Sequence, residues 1–386
     1  MAKTTKTKNF KKAALAAKYF GFEPEQKFNV ENETIKLCAG IKKEKKYLDE
    51  YLPAMEEVAQ LILDFTAKEG ASSTFKYFDQ PATGEHNQSR KRTGLDQMSL
   101  HIIGVENSIA DGLMIKTIKT ILEDHGHKNL VLHINNVGGK ETQTQFNREA
   151  TNFFRKHIAM LTPVCRQYFK EGIHSLVVNG GEDCKILKEH APEPMDYLSD
   201  EGRVKFKELI EYIESFDMPY EIDSYILGDP NYSTHTVFQI VDGDSGKVLA
   251  AGTRYDLLSK KLGTRKDVRA ISANVWVEES KPVTEKSLKK SDENKFFLIQ
   301  VGTRAKILAL DLIERLYKEK VYVKHRIARD KLASQLQLAG KLNSEYFIII
   351  GHKEALDKAA IIKDAQGKSQ RNVPIGEIVE YIRGLK

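Results

Sequence analysis

Near residue 280 the chain changes its grammar. A polar stretch over roughly 279–294, holding Pro282 and a run of Lys, Ser and Glu, separates two patterns that no single fold carries through. Beyond it, over 295–386, apolar runs at 296–301, 321–326 and 346–351 alternate with amphipathic helical stretches at 305–318 and 331–342, and a further strand at 361–364 precedes a closing helix at 375–385. An unbroken apolar run such as Tyr346 to Ile350 is typical of a buried parallel strand. The spacing therefore predicts a small α/β domain at 295–386, behind a linker at 281–294.

Ahead of the break, over 1–280, strand patterns dominate. They fall at 75–78, 99–105, 129–134, 221–226, 236–241, 247–251 and 268–277, and helical spacing marks 13–20, 52–69 and 109–124. Asp242-Gly243-Asp244-Ser245-Gly246 is a hairpin turn signal between two of the strands. Residues 80–96, with Pro81, Gly84, Arg90, Lys91 and Arg92, read as a long hairpin loop. Residues 141–215 are charged and mostly helical, and read as an insertion.

Composition narrows the class. Hydrophobic residues make up 41% and charged residues 30%, which excludes a wholly disordered or collagen-like chain. No run approaches the roughly 18 apolar residues of a membrane span. The N-terminal stretch is basic and lacks an apolar core, so no secretory signal is expected. Cys38, Cys165 and Cys184 are far apart, with neither zinc spacing nor a disulfide framework, and fit a cytoplasmic chain. The net charge of +6 is mild but clustered: Lys324, Arg326, Arg329 and Lys331 form one basic group, Arg90, Lys91 and Arg92 another. Such clusters meet phosphates or stand as solvated faces.

Chemistry is sparse. No glycine-rich phosphate loop, HExxH or GxSxG is present. His125-Gly126-His127 has no third ligand nearby, so a helix end is expected there and no metal. Tyr232, Thr234, His235, Arg254, Tyr255 and Asp256 flank or sit on the hairpin as candidate cleft residues.

Three stretches resemble the histidyl-tRNA synthetase family. Leu249 to Gly263 (LAAGTRYDLLSKKLG) is similar to A-G-G-R-Y-D-G-L…L-G, Ile226 to Gln239 (ILGDPNYSTHTVFQ) lies over L-V-R-G-L-D-Y-Y-T-G-T-V-F-E, and 295–386 reads like the anticodon-binding domain of the His/Gly/Thr/Pro group. A weaker match runs from Gln97 through Gly104 to Asp111. The resemblance implies an α+β fold: a class II synthetase-like antiparallel sheet core with helices, plus a C-terminal α/β anticodon-binding-type domain. It also implies tRNA as partner and a homodimer paired through the first-motif region at 13–28.

The departures point away from amino-acid activation. The arginine of the R-G-L-D-Y-Y motif falls on Gly228, its aspartate on Asn231 and its tyrosine pair on Tyr232-Ser233. The arginine of the third class II motif falls on Glu279, and that of the second falls near Asp79. Gln97 is kept, but the acidic residue four positions on becomes His101. Each lost transition-state arginine typically removes several kcal/mol, roughly 10²–10⁵ in rate. The expectation is a catalytically silent paralogue with no cofactor, binding tRNA or another structured RNA through Lys324, Arg326, Arg329 and Lys331, with Arg90, Lys91 and Arg92 toward an acceptor end. A regulatory subunit is a related version, although the resembling regulator lacks the C-terminal domain. The competing expectation is a diverged histidine–tRNA ligase using ATP and Mg, with Arg254 and Arg90–Arg92 as its cations.

Overall fold

The structure is a computed structural model of the 386-residue chain and describes residues 9–10, 12–25, 30–41, 52–68, 73–80, 95–180, 184, 190–278, 283–284 and 294–385. Its first elements are β1 (Asn9–Phe10), α1 (Lys12–Tyr19), β2 (Glu23–Pro24), α2 (Asn32–Ile41), α3 (Met55–Ala67), β3 (Thr74–Gln80), β4 (Leu95–Ile103), α4 (Ile109–Asp124) and β5 (Leu130–Asn136). A helical stretch follows, with α5 (Lys140–Lys156), α6 (Pro163–Glu171), α7 (Ile173–Asn179) and α8 (Asp200–Glu214). Strands return as β6 (Tyr220–Ile222), β7 (Thr234–Asp242) and β8 (Val248–Arg254), then α9 (Leu258–Lys261), β9 (Ala270–Glu278) and β10 (Val283–Thr284). The C-terminal part runs β11 (Phe296–Gln300), α10 (Thr303–Lys318), β12 (Lys324–His325), α11 (Leu332–Lys341), β13 (Tyr346–Ile350), α12 (His352–Leu356), β14 (Ala359–Asp364), β15 (Gln370–Pro374) and α13 (Ile378–Gly384).

Eight strands form the large sheet, in the order β2-β3-β4-β9-β8-β7-β5-β6. Its six inner strands are mutually antiparallel, and each end is closed by a parallel strand, β2 on β3 and β6 on β5. The alternation in β4 decides its two faces. Met98, Leu100 and Ile102 point into the main core with α1 and α4. Gln97, Ser99 and His101 take the opposite face, where α3 packs with Val58 and Ile62.

The smaller sheet has the order β12-β11-β13-β14-β15, parallel among its first three strands and antiparallel at β14 and β15. This is the mixed α/β sheet that the apolar runs predict. α4 joins the two parts of the molecule. Every residue from Ile109 to Leu122 is buried, between the large sheet, α1, α8 and α10. Its polar side chains are each matched: Lys116 pairs with Glu314, Lys119 with Glu123, and Thr117 and Thr120 donate to backbone carbonyls one turn back.

One expectation is corrected here. Cys165 and Cys184 form a disulfide, with Cα atoms 6.7 Å apart, because α6 and α7 fold back on each other and bury both in one apolar cluster. Cys38 stays free and buried.

Candidate ligand cleft and nucleic-acid interface

The face beneath α3 carries a polar stripe across two strands. The β4–β9 register sets Gln97 against Trp276, Ser99 against Asn274 and His101 against Ser272. The Trp276 indole donates to Gln97 Oε1 at 3.2 Å, Ser99 Oγ donates to Asn274 Oδ1 at 2.7 Å, and His101 Nδ1 lies 2.9 Å from Ser272 Oγ. All six residues are buried. Burial pushes the His101 pKa down to about 3, so the imidazole is neutral, and its Nε2 has no hydrogen-bond partner. A neutral ring therefore closes the stripe at this end.

Tyr232 and Tyr255 stack under the same helix with centroids 5.3 Å apart and planes 5° from parallel. The Tyr255 hydroxyl donates to the Pro53 carbonyl at 3.0 Å. Thr234 Oγ1 accepts from the Asp256 amide at 3.1 Å and lies 3.3 Å from the Arg254 carbonyl. These side chains tie the start of α3 to the ends of β7 and β8.

Arg254 points the other way. Its Nε donates to both oxygens of Asp111, at 2.9 and 3.0 Å, while Nη1 reaches the Val105 carbonyl at 3.3 Å and Nη2 the Asn107 carbonyl at 3.1 Å. Burial alone would lower its pKa, yet Asp111 and Asp256 carry it above the ordinary value. A guanidinium engaged on all three nitrogens anchors α4 to the sheet; it is not a cation held ready for a substrate.

Gly228 begins a closed turn. Asp229 N donates to Ser233 Oγ at 2.8 Å, Ser233 N to the Asp229 carbonyl at 2.8 Å, and Asn231 N to Asp229 Oδ1 at 2.7 Å. The imidazole of His174, on α7, contacts the Gly228 carbonyl, and burial lowers that histidine's pKa to about 4. With φ of +67°, Gly228 sits in the left-handed region, and a Cβ there would fall 2.6 Å from Ser233 Oγ. Beside this turn lies a cavity of about 260 Å³ lined by Leu52, Val178, Leu227, Gly228, Gln239 and others, with Asp223 its one charged side chain among the described residues.

The basic candidates divide. Arg90, Lys91, Arg92 and Glu279 lie outside the described residues, and of Asp79 only the backbone, paired opposite Met98, is described. Lys324 lies over the Tyr322 ring at 5.4 Å, and Arg326 reaches Glu23 at 3.9 Å, so both line the seam between the C-terminal part and the start of the chain. Arg329 is half-buried, and Lys331 is exposed just ahead of α11. The structure thus gathers Gln97, His101, Tyr232 and Tyr255 under α3, with Thr234 at their edge, and sets Arg254 and the basic group apart. Sequence reasoning passed over Ser99, Asn274, Trp276 and Asp111. The polar-apolar alternation through Gln97 to Ile102 is the signal that points to the first.

Comparison with known proteins agrees with this architecture. Residues 295–385 match the HGTP anticodon family, an anticodon binding domain. The histidine–tRNA ligase of Aquifex aeolicus (strain VF5) is 28% identical over 304 residues, 79% of this chain and 73% of that protein. The histidine–tRNA ligase of Caldanaerobacter subterraneus subsp. tengcongensis is 26% identical over 292 residues, 74% and 70% of the two chains. Apo S. aureus histidyl-tRNA synthetase overlays with a TM-score of 0.49 at 17% identity, covering 99% of each chain. A six-stranded antiparallel core with parallel edges, carrying an anticodon-binding α/β domain, makes this a class II aminoacyl-tRNA synthetase-like chain. Within that class it is related to the histidyl-tRNA synthetase family.

Proposed function

We propose that this chain binds tRNA, or a structured RNA of similar shape, through its anticodon-binding domain, and does not activate an amino acid. Gly228 carries the reading. Activation needs fixed cations around a triphosphate and a developing pentacovalent phosphorus. At the position of the motif arginine the chain turns left-handed, has no room for a side chain, and borders a cavity whose one described charge is a carboxylate. These residues do not fit ATP and Mg, and no step through them is derived. RNA contact then falls to the basic groups, meeting phosphates, with Lys331 exposed, Arg329 half-buried, and Lys324 and Arg326 at the seam. Two copies pairing through α1 and β2 complete the proposed assembly.

ATP–pyrophosphate exchange with the purified full chain, across histidine and the other amino acids, tests the first half, with an active histidyl-tRNA synthetase as control. The expected result is background exchange, and clear exchange with any amino acid sinks the silent reading. Filter binding of tRNA at 50 and 200 mM salt tests the second half. Four neutralised phosphates give about a hundredfold loss across that interval, whereas salt-independent or absent binding removes the RNA role. The second reading, a diverged histidine–tRNA ligase, draws on the activity for which the relatives are named. Its cations would have to come from Arg90, Lys91 and Arg92, since Arg254 is committed to Asp111.

A further inference from the structure

A second cavity, about 130 Å³, opens on the α4 side of the large sheet, between α4, α8 and the ends of β7 and β8. One wall is made by a backbone outlier. His235 has φ of +49°, at the point where the β7–β8 register shifts between Thr234 and Val237. Its backbone is fixed there, with the amide donating to the Gly138 carbonyl at 2.9 Å and the carbonyl accepting from Val137 N at 2.8 Å. The left-handed region disfavours a residue with a Cβ, and the motif this stretch resembles has glycine at this position. The effect of keeping histidine is to place an imidazole in the cavity wall, where its ring nitrogens meet no hydrogen-bond partner among the described residues. Strain held in place by surrounding bonds is a mark of a working site.

The rest of the lining carries both signs of charge, incompletely matched. Asp111 is spent on Arg254. Lys205 is shared by Glu201 at 2.8 Å and Glu106 at 3.2 Å, which leaves carboxylate in excess. Asp256 is buried; its Oδ1 accepts from Ala270 N at 3.1 Å and lies 3.6 Å from Arg254 Nη1, while its Oδ2 has Arg269 as its nearest cation, 4.0 Å away. Arg269 in turn is one-third exposed and has that single distant ion pair among those described. Asp256 and Arg269 thus stand side by side in the cavity wall as a long ion pair, close enough for the adjacent charges of one small molecule to meet both.

We propose that this cavity binds a small zwitterion, a free α-amino acid or a compound of similar size with adjacent ammonium and carboxylate groups. The ammonium sits against Asp256 Oδ2 and Glu201, and the carboxylate against Arg269 and the His235 imidazole. The site lies on the opposite face of the sheet from Gln97 and His101, and it is independent of whether the chain activates amino acids.

Thermal unfolding of the full chain with each of the twenty amino acids at about 5 mM tests this, on the wild type, His235→Gly and Arg269→Ala. His235→Gly suits the left-handed backbone and folds at least as well as wild type without ligand. Saturation near ten times Kd raises the wild-type midpoint by about 2 °C for one or a few amino acids. The shift disappears in both variants, and the methyl ester of the same amino acid, lacking the carboxylate, gives none. No shift with any amino acid, or an equal shift in His235→Gly, overturns the proposal.

Discussion

At residue 228 the backbone sits at φ of +67° with Ser233 Oγ where a Cβ would go. Putting the motif arginine back is therefore not a repair. Gly228→Arg is expected to lower stability by about 1–3 kcal/mol through left-handed strain and displacement of Ser233, and to leave pyrophosphate exchange at background. Urea unfolding and the exchange assay check the two parts, and an arginine variant that gains exchange would refute them. That residue 228 supplies no cation is legible from the letters alone, since glycine has no side chain. What the letters do not carry is commitment. Arg254 reads as a free cation until Asp111, distant in sequence, is seen to hold it on its Nε. His101 likewise reads as a substitute ligand until its complete burial under α3 is seen.

Long periodic elements were legible, while the edge strands β2 and β15 were not. α3, α4, α10 and β13 follow from apolar spacing because each buries a whole face. β2 is two residues long and owes its pairing to β3, and β15 (QRNVP) is a mostly exposed edge with little apolar signal, whereas β6 and β12 are only three and two residues long where strands are read at 221–226 and 321–326. Pairing across elements is equally invisible in sequence: Lys116 on α4 meets Glu314 on α10, both nearly fully buried, with Lys318 2.8 Å from the same carboxylate. Lys116→Met strands Glu314 beside one remaining, exposed lysine and is expected to cost about 3 kcal/mol. The double variant with Glu314→Leu is expected to recover most of that loss, as denaturant unfolding of the three proteins will show. If the double variant is as unstable as the single one, the pair is not the reason.

Across the whole molecule, acid exposes how its parts are joined. His325, on β12, donates from Nε2 to the Tyr19 carbonyl of α1 at 2.9 Å, and burial lowers its pKa to about 4. His101 lies near 3. Free histidine titrates near 6.5, so between pH 6.5 and about 4 the unfolded chain binds protons that the folded chain refuses. Stability is therefore full above pH 6.5 and falls as pH drops through that window, by about 1.4 kcal/mol per pH unit for each such histidine. Glu314 acts lower down. Although burial opposes it, Lys116 holds its pKa at about 2, so its contribution is present above pH 4.5 and lost below. His325→Gln keeps a donor for Tyr19 and removes one titrating group. Its urea midpoint is expected to fall less steeply from pH 7 to pH 4 than wild type, and an unchanged slope would remove His325 from the account.

The burial of α4 also sets an order on synthesis. Helix α4 is complete by residue 124, yet one wall of its enclosure, α10, begins at Thr303. A nascent chain emerging from the ribosome must therefore carry an apolar helix with an unmatched Lys116 while well over a hundred further residues are added. Until Glu314 arrives, that surface stays available to chaperones and to other unfinished copies. The C-terminal domain is thus the last wall of the core, and truncation at the polar stretch near 280 should yield aggregates in place of a smaller soluble protein.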